Sequence, residues 1–144
     1  MDTLTEQIKD ILDEQMVRYR TLRRTLLRQR VCLRQDDIVG VGTATAEIRE
    51  AMKQVSVLEA RLTPLVIQWR EQPPKKEDPI PDAVEAIRAL ILELQDLRTQ
   101  NEGLAKSEMD RVRQEMLTLS VGANAVRGYS QRPSDQARFV DRTR

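Results

Sequence analysis

The sequence lacks the side chains from which most enzyme active sites and metal centres are built. It has no histidine and a single cysteine, Cys32, and only four of its 144 residues are aromatic. Histidine is the commonest general base and metal ligand, and one cysteine cannot form an intramolecular disulfide or a thiolate metal cage. We therefore expect no enzymatic activity, no cofactor and no metal, with Cys32 serving as a small apolar side chain on a helix.

The sequence also lacks an excess of charge of either sign, and it has no long apolar runs. The chain carries 24 Lys and Arg against 23 Asp and Glu, so no overall charge draws it to nucleic acid or to an acidic membrane. No segment approaches the roughly twenty apolar residues of a membrane span. The acidic N-terminus has no apolar run long enough for a signal peptide. These features favour a soluble cytoplasmic protein.

What the chain does contain is apolar residues at helical spacing. One stripe alternates steps of three and four residues, which is the pattern of a helix that packs lengthwise against partner helices. It consists of Val41, Ala44, Ile48, Ala51, Val55, Leu58, Leu62, Leu65 and Trp69. A second stripe recurs every seven residues at Leu12, Tyr19, Leu26 and Leu33, and a third begins at Val84. The three stripes predict an all-α fold, an elongated antiparallel bundle or coiled coil of three long helices over about 3–36, 43–70 and 82–120.

Polar and helix-weakening residues suggest where the first two helices meet. Asp36 and Asp37 precede Gly40 and Gly42, which predicts a turn between about 35 and 43. One continuous helix that bends there is the alternative. Further on, Pro64 lies inside the second stripe and should kink or end that helix near Thr63.

Proline and capping signals mark the next boundary. Residues 71–81 form a proline-rich linker, and Asp82 with Glu85 is a capping pair that predicts the start of the third helix. Gly122 and Gly128 end the regular pattern. We expect one helical domain over residues 1–126 and a flexible basic tail over 127–144.

Seven arginines fall within 17 positions of the first helix. They are Arg18, Arg20, Arg23, Arg24, Arg28, Arg30 and Arg34. One hypothesis is a nucleic-acid-associated helical protein, since guanidinium groups on one helix neutralise phosphates. The only aromatic residue in the run, Tyr19, belongs to the apolar stripe. We therefore favour a face that is solvated or paired with acidic residues of the third helix.

A methionine-bearing stripe on the third helix is the candidate binding site. Methionine side chains are flexible and polarizable, and they recur on surfaces that accept several partner shapes. The stripe comprises Leu104, Met109, Val112, Met116 and Leu119. Its spacing fits ordinary core as well as an exposed surface, and a homodimer would cover it in the free protein. Asn101 just before it is either a register-fixing polar residue or an exposed one.

Four short segments together form a recognisable pattern: Leu33 with Asp36 and Asp37; Leu58, Glu59, Ala60, Arg61 and Leu62; Asn101 with Leu104, Val112 and Met116; and Gly128, Tyr129 and Ser130. In these segments the chain resembles the FlgN-type family of flagellar export chaperones. Members of this family usually carry glycine directly after that tyrosine, where this chain has Ser130.

The resemblance implies a cytoplasmic helical chaperone for type III export. Such a protein binds the helical termini of hook-filament junction proteins, prevents their premature assembly and delivers them to the export gate. It would bind clients through Leu104, Met109, Val112, Met116 and Leu119, and Tyr129 would dock on the gate. A purely structural coiled-coil subunit of a larger complex is a further alternative.

Overall fold

The protein is built from three α-helices. The computed structural model describes the backbone of residues 3–130 and the side chains of residues 3–122. Helix α1 spans Thr3–Arg34, α2 spans Ile38–Arg70 and α3 spans Ile80–Ser130. No strand occurs within 3–130, so the predicted all-α class is confirmed. The chain divides into two compact units, Met1–Leu104 and Ala105–Arg144.

In the first unit, the three apolar stripes meet in one aliphatic core. The second-helix stripe faces inward, with Ala44, Val55 and Leu58 buried and its other members half-buried. Removing each large aliphatic side chain from water stabilises the unit by about 1.5–3 kcal/mol. The core cluster consists of Ile8, Leu12, Tyr19, Leu22, Leu26, Val55, Ile80, Ile87, Leu90, Leu94 and Leu97.

Contacts between polar side chains give the directions of the helices in this unit. Gln29 of α1 bonds to Thr45 of α2, and Arg28 pairs with Glu47, so the chain reverses between these helices. Arg23 pairs with Glu93, and Arg30 bonds to Asn101, so α1 and the first part of α3 run in the same direction. The order is therefore up, down, up, as expected for helices joined by short connections.

The turn between α1 and α2 is shorter than predicted. Asp36 has a φ of 55°, and the Gly40 backbone N–H donates to Asp37 Oδ1 at 2.9 Å, which caps α2. The helix therefore begins at Ile38, so the predicted start at 43 is wrong, as is the continuous helix. Position 40, in the first turn of α2, needs a glycine, because a Cβ there would meet the Asp37 carboxylate and lie 2.6 Å from Cys32 Sγ.

Helix α2 continues through Pro64 to Arg70, so the predicted end at about 70 is confirmed and Pro64 does not end the helix near Thr63. A proline inside a helix removes one backbone hydrogen bond and costs about 3 kcal/mol. Three side chains around it, Leu62, Leu65 and Trp69, pack against the core cluster. Their burial offsets that cost.

The cap of α3 also differs from the prediction. The Ile80 backbone N–H donates to Asp78 Oδ1 at 3.0 Å, and Trp69 Nε1 donates to Asp78 Oδ2 at 2.8 Å. Asp78 thus caps α3 and binds the end of α2, whereas Asp82 lies inside the first turn. The helix begins at Ile80, two residues before the predicted start, because Asp78 and not Asp82 caps it, and the Ile80 side chain is only 1% exposed.

Helix α3 continues past residue 120 to Ser130, the last residue whose backbone the structure describes, so the predicted end at 120 is wrong. Gly122 and Gly128 lie within the helix, because a glycine costs only about 1 kcal/mol there, far less than a proline. The backbone of residues 127–130 is therefore helical, and residues 131–144 of the predicted flexible tail lie outside the described residues. The domain boundary at 126 stays a prediction.

Candidate functional site

Four members of the predicted binding stripe form an exposed apolar face in the second unit. Met109, Val112, Met116 and Leu119 are 57%, 44%, 65% and 72% exposed. They follow one another at steps of three, four and three residues, which places them on one side of the helix. The sequence left open whether this stripe is core or surface, and in the single chain these four residues are surface.

The fifth predicted residue, Leu104, belongs to a different part of the protein. It is half-buried and is the last residue of the first unit. The structure therefore brings four of the five predicted client-binding residues together on one face, and it assigns Leu104 to the unit that contains the core.

Two exposed apolar residues were missed by the sequence reasoning. Leu117 and Val121 are 60% and 68% exposed and lie four residues apart, so they adjoin each other on the helix surface. Each residue turns the helix by about 100°, so Leu117 lies to one side of Met116. Their four-residue spacing was the signal that would have revealed this second apolar strip.

A network of charged side chains occupies part of the remaining surface of this helix. Arg111 pairs with Glu108 and with Glu115, each at 2.8 Å. Such pairs at spacings of three and four residues stabilise a helix by about 0.2–0.5 kcal/mol each. The helix thus has local support that does not use its apolar face.

Asn101 fixes the position of α3 against α1 in the first unit. It is buried, and its Nδ2 donates to the Leu26 carbonyl at 2.8 Å and to Gln29 Oε1 at 3.0 Å. Arg30 Nε donates to Asn101 Oδ1 at 3.4 Å. A buried amide that needs these partners disfavours a shifted register. Of the two alternatives for Asn101, the structure supports the register-fixing one.

Three of the seven arginines on α1 bind other side chains of the first unit. Arg23 pairs with Glu93 of α3 at 3.2 Å, Arg28 pairs with Glu47, and Arg30 binds Gln100 and Asn101. The expected pairing with an acidic residue of the third helix is confirmed for Arg23. Arg20 and Arg24 are exposed and form no ion pair with another described residue.

Tyr19 and Cys32 of α1 are both buried, Tyr19 as its stripe predicted and Cys32 as expected of a small apolar side chain. Cys32 is a buried free thiol. Tyr19 is also buried, and this burial raises the pKa of its hydroxyl above the ordinary 10.0, with the Glu59 carboxylate adding to the rise. The tyrosine is therefore neutral at physiological pH.

The second predicted contact, Tyr129, lies in the helical backbone of α3, but its side chain is outside the described residues. Within the described part of the chain, no helix combines the length and the apolar character that crossing a membrane requires.

A three-helix core together with a surface-exposed apolar helix face is the arrangement of a helical protein-binding module. The FlgN protein family model matches residues 1–135 of the 144. This chain therefore belongs to the FlgN family, whose members are flagellar export chaperones and not enzymes. No curated protein and no solved structure matches the chain.

Proposed function

We propose that this FlgN-family protein is a cytoplasmic chaperone that binds the helical termini of hook-filament junction proteins and delivers them to the export gate. The observation that carries the proposal is the exposed face of Met109, Val112, Met116 and Leu119 on α3. The membership in a family of export chaperones supports the class of client.

The mechanism is recognition of one amphipathic helix by another. A client helix would lay its apolar residues against this face, in the manner of helix-in-groove binding. The same apolar residues assemble the client into its final structure, so covering them prevents premature assembly. Met109 and Met116 adapt to clients of different shape because their unbranched side chains repack easily.

The size of the face is consistent with a complex that can be released. Burying four such side chains contributes at most roughly 6–12 kcal/mol, because these four are already partly covered in the free protein. Association costs about 4–15 kcal/mol in lost translational and rotational freedom. Because these quantities are similar, the four side chains alone give modest affinity. A client held in this way dissociates readily at the gate.

Charged substitutions on the stripe test the client site. Met109→Glu combined with Met116→Glu should abolish client binding and leave helicity unchanged, because both side chains are exposed and a buried carboxylate opposite an apolar client is unfavourable. Binding is measured by calorimetry and helicity by circular dichroism.

The matched control adds the same charge to another side of the same helix. Gln114→Glu with Thr118→Glu should retain client affinity, since both residues are exposed and lie away from the stripe. Equal loss in both double variants, or unfolding of the first, would show that the stripe is not the client site.

Tyr129 is proposed to dock on the cytoplasmic domain of the export gate. A tyrosine offers a rigid apolar ring with a hydroxyl group, which suits a protein interface. Tyr129→Ala should weaken gate binding and leave client affinity unchanged, whereas Tyr129→Phe should keep most of the ring's contribution. Both affinities are measured on one preparation. An unchanged gate affinity, or a parallel loss of both, would remove this role from Tyr129.

A further inference from the structure

The outer side of α1 carries a regular row of exposed residues, here called the outer seam, which the proposed function does not use. Its members alternate steps of three and four residues along the helix, and every one of them is exposed. They are Thr3, Glu6, Asp10, Asp13, Val17, Arg20, Arg24, Leu27, Val31 and Arg34. This seam lies on the side of α1 that faces away from the core residues Leu12, Tyr19 and Leu26.

Charge is segregated along this outer seam. Before Val17 its charged residues and their exposed neighbour Glu14 are all acidic, and after Val17 they are all arginines. Within the described part of the chain, Asp10, Glu14, Arg20 and Arg24 form no ion pair. Asp13 pairs with Lys9 of the same helix. An acidic half and a basic half, each with unpaired charges, therefore follow each other on one helix face.

The two halves complement each other when two copies of α1 lie antiparallel. If the copies cross with Val17 opposite Val17, residues equally distant from Val17 face each other. Asp10 then meets Arg24. Glu6 likewise meets Arg28, which already pairs with Glu47 in its own chain. A parallel arrangement places like charges side by side and is disfavoured.

We propose that the outer seam of α1 binds the same seam of a second copy of this chain, antiparallel, with a two-fold axis at Val17. Such a contact is isologous and closes as a dimer. It uses a different face from the stripe on α3, so it is independent of client binding.

The association is electrostatic and therefore weak and sensitive to salt. At the centre, Val17 contacts its symmetry mate, but Leu27 lies opposite Gln7 and Val31 opposite Thr3, so little apolar surface is matched. Exposed ion pairs contribute little individually. The Debye length falls from about 30 Å at 0.01 M salt to about 8 Å at 0.15 M, so the dimer should dissociate over this range.

Cross-linking through introduced cysteines tests the geometry in the full-length chain, with Cys32→Ala removing the native thiol. With air as the oxidant, Val17→Cys should form a disulfide-linked dimer at low salt, because the two-fold axis brings the two sulfurs together. Gln7→Cys should not, since its two copies lie about 30 Å apart in the antiparallel pair, beyond the reach of a disulfide. A mixture of Gln7→Cys with Leu27→Cys should cross-link.

Two results of the cross-linking experiment would contradict the proposed antiparallel dimer. Dimers from both Val17→Cys and Gln7→Cys would indicate a parallel pair and overturn the proposal. The absence of any cross-linked dimer would also overturn it. In that case, binding of the seam to an acidic helix or to anionic vesicles would identify a different occupant.

A charge swap tests the energetics by sedimentation equilibrium at low salt. Asp10→Arg or Arg24→Asp alone turns two symmetry-related attractions into repulsions, so the dissociation constant should rise at least about tenfold. Combining the two substitutions restores attraction and should restore the dimer. Failure of the double variant to recover would contradict the pairing.

Two controls locate the dimer contact. Arg49→Asp on the exposed surface of α2 should leave the dissociation constant unchanged. Met109→Glu with Met116→Glu should also leave it unchanged. Loss of the dimer in that second control would assign self-association to the client stripe instead, and would overturn the α1 contact without affecting the proposed chaperone function.

Discussion

Gly40 and Gly103 both lie inside helices, but the space around them differs. At Gly40 a Cβ would collide with the Asp37 carboxylate and the Cys32 sulfur, so the cap of α2 needs a glycine there. At Gly103 a Cβ would meet nothing within 4 Å, although this glycine also lies inside a helix. The first glycine is required by close packing, whereas the second only weakens its helix.

Alanine at these two positions should therefore change stability in opposite directions. Gly103→Ala should raise the free energy of unfolding by about 0.5–1 kcal/mol, because alanine loses less backbone entropy in a helix. Gly40→Ala should lower it, because Asp37 and Cys32 must move. Denaturant titration gives both values. A gain of stability in both variants would mean that the α2 cap has more room than the structure shows.

At the scale of the helix, α2 shows how strictly its two sides are divided. Leu58 is 4% exposed, whereas its neighbour Val57 is 61% exposed. The two residues have similar apolar character, so their different surroundings follow from the rotation of the helix by about 100° per residue.

Aspartate substitutions at these neighbouring positions should show that the cost in stability depends on whether the replaced side chain is buried. Leu58→Asp should cost about 3 kcal/mol or more, because it places a carboxylate in the core without a partner. Val57→Asp should change the free energy of unfolding by only about 0.5 kcal/mol. Thermal or denaturant unfolding measures both. Similar losses at the two positions would contradict the inward orientation of the second-helix stripe.

At the scale of the whole molecule, the core and the proposed client site belong to different units. Every residue of the core cluster lies within Met1–Leu104, whereas Met109, Val112, Met116 and Leu119 lie within Ala105–Arg144. Folding and client binding should therefore be separable.

A chain that ends at Leu104 tests this separation. It should remain helical and unfold cooperatively, because it retains the entire core cluster. It should also have no measurable affinity for the client, because the stripe is missing. Circular dichroism and calorimetry provide the two measurements. If the shortened chain were unfolded, residues after 104 would be part of the folding unit.

The sequence predicted the number of helices and most of the core, but its boundaries were less accurate. Leu12, Tyr19 and Leu26 are buried as their spacing indicated. The start of α2 was misplaced because Gly40 and Gly42 suggested a longer turn, whereas Asp37 caps a helix that contains both glycines. The start of α3 was misplaced because Asp82 with Glu85 gave as good a local pattern as Asp78, which is the actual cap. Which carboxylate caps a helix depends on where buried neighbours such as Ile80 hold the backbone.

By itself, the sequence determined the helical class, the inward side of each stripe in the core and the resemblance to the FlgN family. These features follow from local spacing and residue type, which the chain carries wherever it folds. The tertiary structure alone decided which stripe has a partner. Leu90, Leu94 and Leu97 have the same kind of spacing as Met109, Val112 and Met116, yet the first three are buried and the last three exposed. Burial depends on the helices packed alongside, and spacing within one helix contains no information about them.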